Sequence, residues 1–379
     1  MSTNSSLTQL YGSEHGAASL GVLCASVAVL ALSWYSIRRR LSPNGQTSPT
    51  RASRDYRDGQ ITITKLLIHP IKSCRGSSVQ SSAFTSVGLE HDRRWVLVGL
   101  DKSEVLTART VPKMVLVHPR VNQDSQTLDV TFPADSGCTD FSVPLNPSPD
   151  QLSAWTLLDG LNLFSIKTLD GYICESLPGH ANASEELSRF LGLRVALVLK
   201  GPRRRAVDST PTFPSLHEDT SVLFHDGYPV LLVSEESLED VERRTWEIAR
   251  AGDSDRVDAK WKNERLVMER FRPNIVVRGA GGFAEDDWEE VRIGSEGYQM
   301  DLVSKCPRCQ LPQVDPATGV PDAAIPTKVL ATFRKGIDPA MPHKNCFGSN
   351  GVPRASGVIS VGDVVRVARM TADGSVAIR

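Results

Sequence analysis

The feature that most constrains the fold is a succession of short runs rich in β-branched residues, separated by glycine, proline, asparagine and aspartate. The first half contains ITITKLLIHP, RRWVLVGL, KMVLVHPRV, TLDVTF, FSVPL and RVALVLK, and the second half contains PVLLV, PNIVVRG, YQMDLVSKC and GVISVGDVVRVARM. Runs of this length and composition, bounded by turn-forming residues, are typical of strands. They predict a mainly β chain with some helix, that is, an α+β fold of two barrel-like domains.

Two segments have the pattern of helices. In ASEELSRFLG, Ser184 is a candidate N-cap and Gly192 a candidate stop, and SEESLEDVERR follows directly after the strand PVLLV. Between them lies the proline-rich segment GPRRRAVDSTPTFPSLHEDT, which begins with three consecutive arginines and is typical of a connection between domains. We therefore predict a first β-barrel domain over residues 59–201 and a second domain over residues 215–372.

The N-terminal region contains a run without charge, AASLGVLCASVAVLALSWYSI, over residues 17–37. At about 1.5 Å per helical residue this run spans roughly the 30 Å hydrocarbon core of a bilayer. A cleavable secretory signal has a Lys or Arg before its apolar run, but none precedes this one. Three arginines follow it, which by the positive-inside rule stay in the cytosol. We predict a tail (1–16), a single-pass membrane anchor (17–37) and a flexible linker (38–58) ahead of a cytosolic body. A buried globular helix is the alternative.

Composition excludes some classes of function. The 379 residues are enough for two domains of ordinary size. The formal net charge of −1 gives no reason to expect a nucleic-acid partner, which would normally need a basic face. Seven cysteines in a chain of this length are too few for a disulfide scaffold. A reducing compartment is therefore expected.

The segment KCPRCQLPQVDPATG, which begins at Lys305, places Cys306 and Cys309 three positions apart. A structural zinc site needs further ligands, and the chain has no second C-x-x-C. A thioredoxin-type pair needs a helix after the first cysteine, which the two prolines that follow disfavour. Single ligation of a metal by a thiolate, with Lys305 and Arg308 favouring the charged form, and two ordinary buried cysteines both remain open.

Several motifs together indicate a known family. LLIHPIKSCRG, DRRWVLV and LTARTVPKMVLV resemble the N-terminal β-barrel domain that accompanies MOSC domains. RFRPNIVVRG, DDWEEVRIG, KCPRCQLPQVDPATG and ISVGDVVRV resemble the MOSC domain itself. Their order and spacing, behind a membrane anchor, are most similar to the mitochondrial amidoxime-reducing components.

The resemblance implies a molybdenum cofactor, held by the two sulfurs of a pyranopterin, by oxo groups and by one protein cysteine. The family's ligand position falls on Cys309, a soft donor suited to a sulfur-rich site. The family's cofactor-binding positions, which meet the phosphate of the pterin, fall on Lys72, Ser73, Arg93, Arg272 and Asn274. Arg109, in LTARTV, is a further candidate for the same role.

Other residues near these motifs have more ordinary expected roles. Cys74 and Cys306 are expected to pack, and Asp315 is expected to cap the turn after the ligand. The chain departs from the animal reductases at two places. It has FHDGYPVLL in place of an S-D-T-S-P-F string, and FGSN in place of FGQY, which puts Asn350 near the substrate mouth. Substrate preference therefore does not carry over.

The implied activity is removal of an oxygen atom from small N-hydroxylated substrates. The chain has no haem or nicotinamide motif, and the resemblance implies that a b-type cytochrome and its NADH-dependent reductase supply the electrons. Membrane lipid is expected to contact residues 17–37, either in the outer mitochondrial membrane or in the endoplasmic reticulum. Two other functions remain open, a carrier of the cofactor or of its sulfur, and a membrane-tethered scaffold.

Overall fold

The structure is a computed structural model that describes residues 60–164, 166–252 and 256–371. Its strands, numbered in chain order, are β1 (Thr62–Ile68), β2 (Ser77–Val79), β3 (Ser81–Thr85), β4 (Gly88–Leu89), β5 (Trp95–Gly99), β6 (Glu104–Val105), β7 (His118–Asn122), β8 (Thr127–Thr131), β9 (Phe141–Pro144), β10 (Leu157–Leu163), β11 (Ile166–Ile173), β12 (Val195–Lys200), β13 (Val230–Ser234), β14 (Ile275–Arg278), β15 (Trp288–Ile293), β16 (Tyr298–Pro307), β17 (Cys346–Pro353), β18 (Gly357–Ser360) and β19 (Val365–Met370). The α-helices are α1 (Pro149–Ala154), α2 (Ala183–Leu191), α3 (Leu216–Asp219), α4 (Glu235–Arg250) and α5 (Thr327–Ala331).

The strands form one large sheet, a small closed barrel and two three-stranded sheets. The large sheet has eight strands in the order β19-β15-β16-β17-β13-β14-β1-β2, and the closed barrel contains β10, β11, β12, β5 and β6. The three-stranded sheets are β18-β3-β4 and β7-β8-β9. The predicted mainly β fold with few helices is confirmed.

Strand β1 comes early in the chain but lies in the sheet of the second half. It runs antiparallel to β14, with Leu66 opposite Ile275, and β3 pairs with β18 in the same way. Ile63 and Leu66 are buried in a core that also contains Ile275 and Val291. The two halves thus share a sheet and a core, which places the loop after β1 beside second-half strands. The domain division at residues 59–201 and 215–372 stays a prediction.

Two local predictions are corrected by the structure. Helix α2 is capped by Asn182, whose side chain accepts hydrogen bonds from the backbone N–H groups of Ser184 and Glu185, so Ser184 is not the cap. Gly192 does end this helix, in the left-handed conformation that glycine adopts readily. Within KMVLVHPRV only the second part is a strand, because Pro112–Leu116 form a 3₁₀ turn. Pro112 suits the start of such a turn, since it lacks an N–H.

The predicted tail, anchor and linker lie outside the described residues. No helix in the part of the chain that the structure describes is long and apolar enough to cross a membrane. The single-pass anchor over residues 17–37 therefore stays a prediction.

Candidate functional site

A polar cavity with an empty volume of about 690 Å³ lies between the loop after β1, the loop before β5 and segments that flank β13, β14 and β16. This volume includes space that is open to solvent. We call it the inner cavity. It is lined by Lys72, Ser73, Arg93, Thr107, Arg109, His225, Asp226, Gly227, Tyr228, Leu231, Phe271, Arg272, Asn274, Cys306, Arg308, Cys309, Leu311 and Asn350. All seven residues of the predicted site are among them.

Lys72 follows β1 and is almost fully buried at the cavity wall. Its backbone N–H donates to the carbonyl of Trp95 at 2.8 Å, which fixes the loop against β5. Its Nζ donates to the carbonyl of Phe224 at 2.8 Å and pairs with the carboxylate of Asp226. Burial lowers the pKa of Lys72 to about 8, although Asp226 opposes that shift. Lys72 is thus a cation with little solvent to stabilise it.

Arg93 is held by side chains from both halves of the chain. Its guanidinium pairs with the buried Asp92 and donates to Oδ1 of Asn274 at 3.0 Å and to the carbonyl of Arg272 at 3.0 Å. Burial alone would raise the pKa of Asp92, but Arg93 and contacts with His225 and His69 outweigh it and hold that pKa well below its usual range. Asp92 is therefore an anion behind the cavity wall that fixes Arg93.

Arg272 and Asn274 form the wall just before β14. Arg272 donates from Nη1 to the carbonyl of Cys74 at 2.6 Å, and its Nη2 is buried without a hydrogen-bond partner among the described residues. Burial, together with the charge of Arg93, lowers the pKa of Arg272 to about 10, so it stays charged near neutral pH. Asn274 accepts from Arg93 and from the N–H of Leu231, and it donates to a β1 carbonyl. Its contacts position Arg93.

The backbone is strained where these residues meet the cavity. Ser73, Arg93 and Arg272 have φ values of 67°, 46° and 56°, which is the left-handed region that residues with a Cβ rarely adopt. Each such residue costs on the order of 1–3 kcal/mol, and strain of this kind tends to cluster at functional sites. Three strained residues around one cavity therefore indicate a binding site rather than a packing gap.

Arg109 and Asp226 lie at the mouth of the inner cavity. Asp226 contacts both Lys72 and Arg109, and it is the acidic side chain that partly neutralises the cavity's cations. Burial opposes the charge of Arg109, but Asp226 and the neighbouring thiol of Cys309 outweigh it and raise the pKa of Arg109 above its ordinary value. The side chain of Asp226 is 57% exposed. Its partial desolvation would raise its pKa, but Lys72 and Arg109 hold that pKa well below its usual range. The mouth is thus fully ionised at neutral pH.

The two cysteines of the C-x-x-C segment differ in their surroundings. The Sγ of Cys306 accepts a hydrogen bond from Nη1 of Arg308 at 3.0 Å, and burial raises the pKa of this thiol. Cys309 has Arg109 beside it and lies 3.5 Å from the N–H of Leu311. The prediction that Lys305 also lies near these thiols is wrong. Side chains alternate along β16, so Lys305 is on the opposite face, where its Nζ donates to the carbonyl of Asp286.

A larger, mainly apolar space opens beyond Cys309, with an empty volume of about 1,760 Å³ that includes open solvent. We call it the outer chamber. It shares Arg109, Asp226, Gly227, Tyr228, Cys306, Arg308, Cys309 and Asn350 with the inner cavity. Asn350 donates to Oγ of Ser304 at 2.9 Å from the strand next to β16. The chain thus places Cys309 where a cation-lined cavity meets an apolar chamber.

Sequence reasoning missed part of the site. Asp226 and His225 lie in the FHDGYPVLL segment, which the sequence marked only as a departure from the family, and Asp92 lies beside the predicted Arg93. His225 is 2% exposed, and its Nε2–H donates to the carboxylate of Asp92 at 3.1 Å. Its Nδ1 has no hydrogen-bond partner among the described residues. Only their position beside motif residues could have identified them from the sequence, because no spacing rule relates residues 92 and 225.

The more ordinary roles predicted for two residues are confirmed. Asp315 accepts hydrogen bonds from the N–H groups of Ala317 and Thr318 at 2.8 and 3.0 Å, so it caps the turn as expected. Cys74 is fully buried in the first-half core, and burial raises the pKa of its thiol to about 12. Neither side chain is available to the cavity as a charged ligand.

Comparison with known proteins agrees with the motifs in the sequence. The family described as "MOSC N-terminal beta barrel domain" matches residues 60–191, and the family described as "MOSC domain" matches residues 219–366. The "Mitochondrial amidoxime-reducing component 1" of Mus musculus is 30% identical over 91% of this chain and 91% of its own length. The component 1 of Danio rerio is 31% identical over 80% of this chain and 83% of its own, and the component 2 of Bos taurus is 30% identical over 80% and 82%.

Proposed function

This chain belongs to the family of the mitochondrial amidoxime-reducing components, and on that premise we propose that it is a molybdenum-dependent oxidoreductase that removes the oxygen atom from N-hydroxylated substrates. The observation that carries the proposal is the position of Cys309, at the junction between the cation-lined inner cavity and the apolar outer chamber. One space suits an anionic cofactor and the other suits an organic substrate, and a metal bound to Cys309 would face both.

The inner cavity fits a molybdenum-pterin cofactor by its chemistry. The cofactor carries a phosphate, and five cations line the cavity against one carboxylate, namely Lys72, Arg93, Arg109, Arg272 and Arg308 against Asp226. Nη2 of Arg272 and Nε of Arg308 are buried and have no hydrogen-bond partner in the described part of the chain. Buried donors without acceptors are costly unless a ligand supplies the acceptor.

In the proposed enzyme Lys72, Arg93, Arg109 and Arg272 would bind the anionic part of the cofactor, with Ser73 and Asn274 beside them. Cys309 would ligate the metal through its thiolate. The bound molybdenum cofactor supplies the two-electron chemistry by which the oxygen atom leaves the substrate. The protein's own contribution is to hold that group in a buried, strained frame and to keep Arg109 charged beside Sγ of Cys309.

The outer chamber would bind the organic part of the substrate and orient its N–OH group toward Cys309. Tyr228 and Asn350 lie on the wall common to both spaces, at positions where the chain departs from the animal reductases. We therefore assign substrate selection to the outer chamber and cofactor retention to the inner cavity. This division also separates an enzyme from a carrier, since a protein that only carries the cofactor needs the inner cavity alone.

The electrons would come from a partner, a b-type cytochrome with its NADH-dependent reductase. The names of the relatives support a mitochondrial association. We further propose that residues 17–37 anchor the protein in the outer mitochondrial membrane, with the body in the cytosol and lipid around the anchor. The same anchor would also suit the endoplasmic reticulum.

Two measurements on the purified full-length protein in detergent test the proposal. Elemental analysis should find molybdenum close to one atom per chain, and the protein should reduce benzamidoxime to benzamidine when a b-type cytochrome and its reductase supply electrons from NADH. Molybdenum without turnover would identify a carrier of the cofactor. A protein with neither molybdenum nor turnover would be the tethered scaffold.

A further inference from the structure

Phe164 is unusual among the large apolar side chains of this protein. It lies at the turn between β10 and β11, the residue is 46% exposed, and its φ is 51°. A left-handed backbone at a bulky non-glycine residue has a conformational cost. Exposure of one aromatic ring is common, but an exposed ring on strained backbone indicates that the position of the ring has a function.

Two cations of the inner cavity fix the Phe164 ring. The guanidinium carbon of Arg109 lies 4.4 Å from the ring centroid, and Nζ of Lys72 lies 5.4 Å from it. Both distances are within the range of cation–π attraction, which is worth about 0.5–1 kcal/mol at exposed sites. Arg109 is in turn paired with Asp226. The ring is thus held at the mouth of the cavity, and part of its surface stays exposed.

The exposed part of the ring belongs to the outer chamber. Phe164 lines that chamber and comes from the first half of the chain, whereas Pro211, Tyr228, Val303 and Met341 line it from the second half. These apolar side chains and the ring form a cleft that leads to Cys309. An aromatic ring on the wall of such a space suits a planar apolar group, because stacked or edge-to-face aromatic pairs contribute about 0.5–1.5 kcal/mol beyond area burial.

We propose that Phe164 is a specificity-determining residue, whose ring binds the planar aromatic group of an N-hydroxylated substrate while the N–OH group faces Cys309. The inference rests on the proposed function, and it adds the site at which substrates are distinguished. Arg109 then has two partners of different kinds, the carboxylate of Asp226 at the mouth of the inner cavity and the ring of Phe164 in the outer chamber. The hairpin β10–β11 of the first half becomes part of the substrate site.

The same hairpin offers a matched control. Leu157 lies on β10, is 48% exposed and does not line either the inner cavity or the outer chamber. If exposed apolar surface on this hairpin mattered only for stability or solubility, Leu157→Ala and Phe164→Ala would have similar effects. If the ring binds substrate, only the change at residue 164 alters the discrimination between substrates.

The experiment compares benzamidoxime with acetamidoxime, which carry the same reactive group on a phenyl and on a methyl substituent. In the full-length, molybdenum-loaded protein, Phe164→Ala should lower the ratio of kcat/KM for benzamidoxime over acetamidoxime by roughly 3- to 10-fold, chiefly through KM. Phe164→Tyr should keep the ratio within about twofold, since it keeps the ring, and Leu157→Ala should leave it unchanged. Equal losses for both substrates in Phe164→Ala would overturn the inference.

A binding measurement separates this inference from the proposed function. Calorimetric titration of the same proteins with benzamidine and acetamidine, the amidines that reduction would produce, requires no turnover. The wild type should bind benzamidine more tightly, and Phe164→Ala should lose roughly 3- to 10-fold of that preference. An unchanged preference in Phe164→Ala, or none in the wild type, would overturn the role of the ring. Preserved binding without reduction of either amidoxime would instead refute the enzyme.

Discussion

The inner cavity and the outer chamber meet at Cys309 but are built by opposite means. The inner cavity is lined with buried cations on strained backbone, each tied to neighbouring groups. The outer chamber is larger and mainly apolar, and its walls are loop segments around residues 208–211 and 338–341. A fixed array of donors recognises one anion in one geometry, whereas apolar walls accept varied groups of suitable shape. The difference fits one cofactor and a range of substrates.

The hydrogen bonds of the inner cavity explain how its positive charge is kept. Lys72, Arg93, Arg272 and Arg308 each donate to at least one backbone carbonyl. A carbonyl orients a cation without neutralising it, unlike a carboxylate. Lys72 and Arg93 also pair with the carboxylates of Asp226 and Asp92, but the five cations of the cavity outnumber these two carboxylates, so a net positive charge is retained for a ligand. The desolvation cost appears as the lowered pKa values of Lys72 and Arg272.

The largest effect should follow from changing the residue at the junction. We expect Cys309→Ser to abolish reduction of amidoximes, beyond the 10- to 100-fold typical of changes around a metal ligand, because the thiolate donor is lost. Cys306→Ser should keep most of the activity, since serine still offers an acceptor to Nη1 of Arg308. Molybdenum content and turnover, measured for both variants beside the wild type, check this expectation.

The two cysteines thus serve as controls for each other. A zinc clip or a dithiol redox pair would make both variants lose activity equally. Full activity in the Cys309 variant would remove this residue from the reaction and would leave the junction between the two spaces without a chemical role. Retained pterin with lost molybdenum in Cys309→Ser would show that the inner cavity binds independently of the metal ligand.

The sequence predicted which residues lie together around the inner cavity better than it predicted how the chain brings them there. Strand patterns and turn residues depend on neighbours in the chain, so the mainly β fold and the turn at Asp315 were accessible. The pairing of β1 with β14 was not, because it joins segments about 200 residues apart whose patterns match many partners. Asp226 and Lys305 illustrate the same limit. Asp226 lines the inner cavity because of long-range packing. Lys305 points away from it because side chains alternate along β16.

A smaller effect should separate geometry from charge in the inner cavity. Arg272→Lys keeps a positive charge but loses the guanidinium fork, and with it the unpartnered Nη2 donor. We expect cofactor retention to weaken by about 1–3 kcal/mol, or roughly 5- to 150-fold, as for a charge-assisted hydrogen bond. Molybdenum content after extended dialysis measures the loss.

Arg278→Lys is the matched control for that change. Arg278 lies on β14, four residues beyond Asn274, and its exposed guanidinium pairs with Glu235 and Glu239. Exposed ion pairs contribute little, so this variant should retain molybdenum like the wild type. Equal retention in the two variants would remove Arg272 from the cofactor site.

The smallest effect concerns pH and the cation with the lowest pKa. Lys72 has a pKa of about 8 in the unloaded protein, because burial destabilises its charge. An anion bound beside it would raise that pKa. Below pH 8 Lys72 is charged with or without the ligand, so its contribution to affinity is constant. Above pH 8 the unloaded form loses its proton first, and affinity should fall by up to about tenfold per pH unit.

Lys72→Arg isolates this effect, since a guanidinium stays protonated throughout the range. Molybdenum retained after gel filtration, measured from pH 7 to pH 9, should decline in the wild type above pH 8 and stay nearly level in the variant. The range stops below the pKa of about 10 for Arg272, so that this second cation does not contribute. A level profile in the wild type would place the anion away from Lys72, and parallel declines in both proteins would assign the loss to another group.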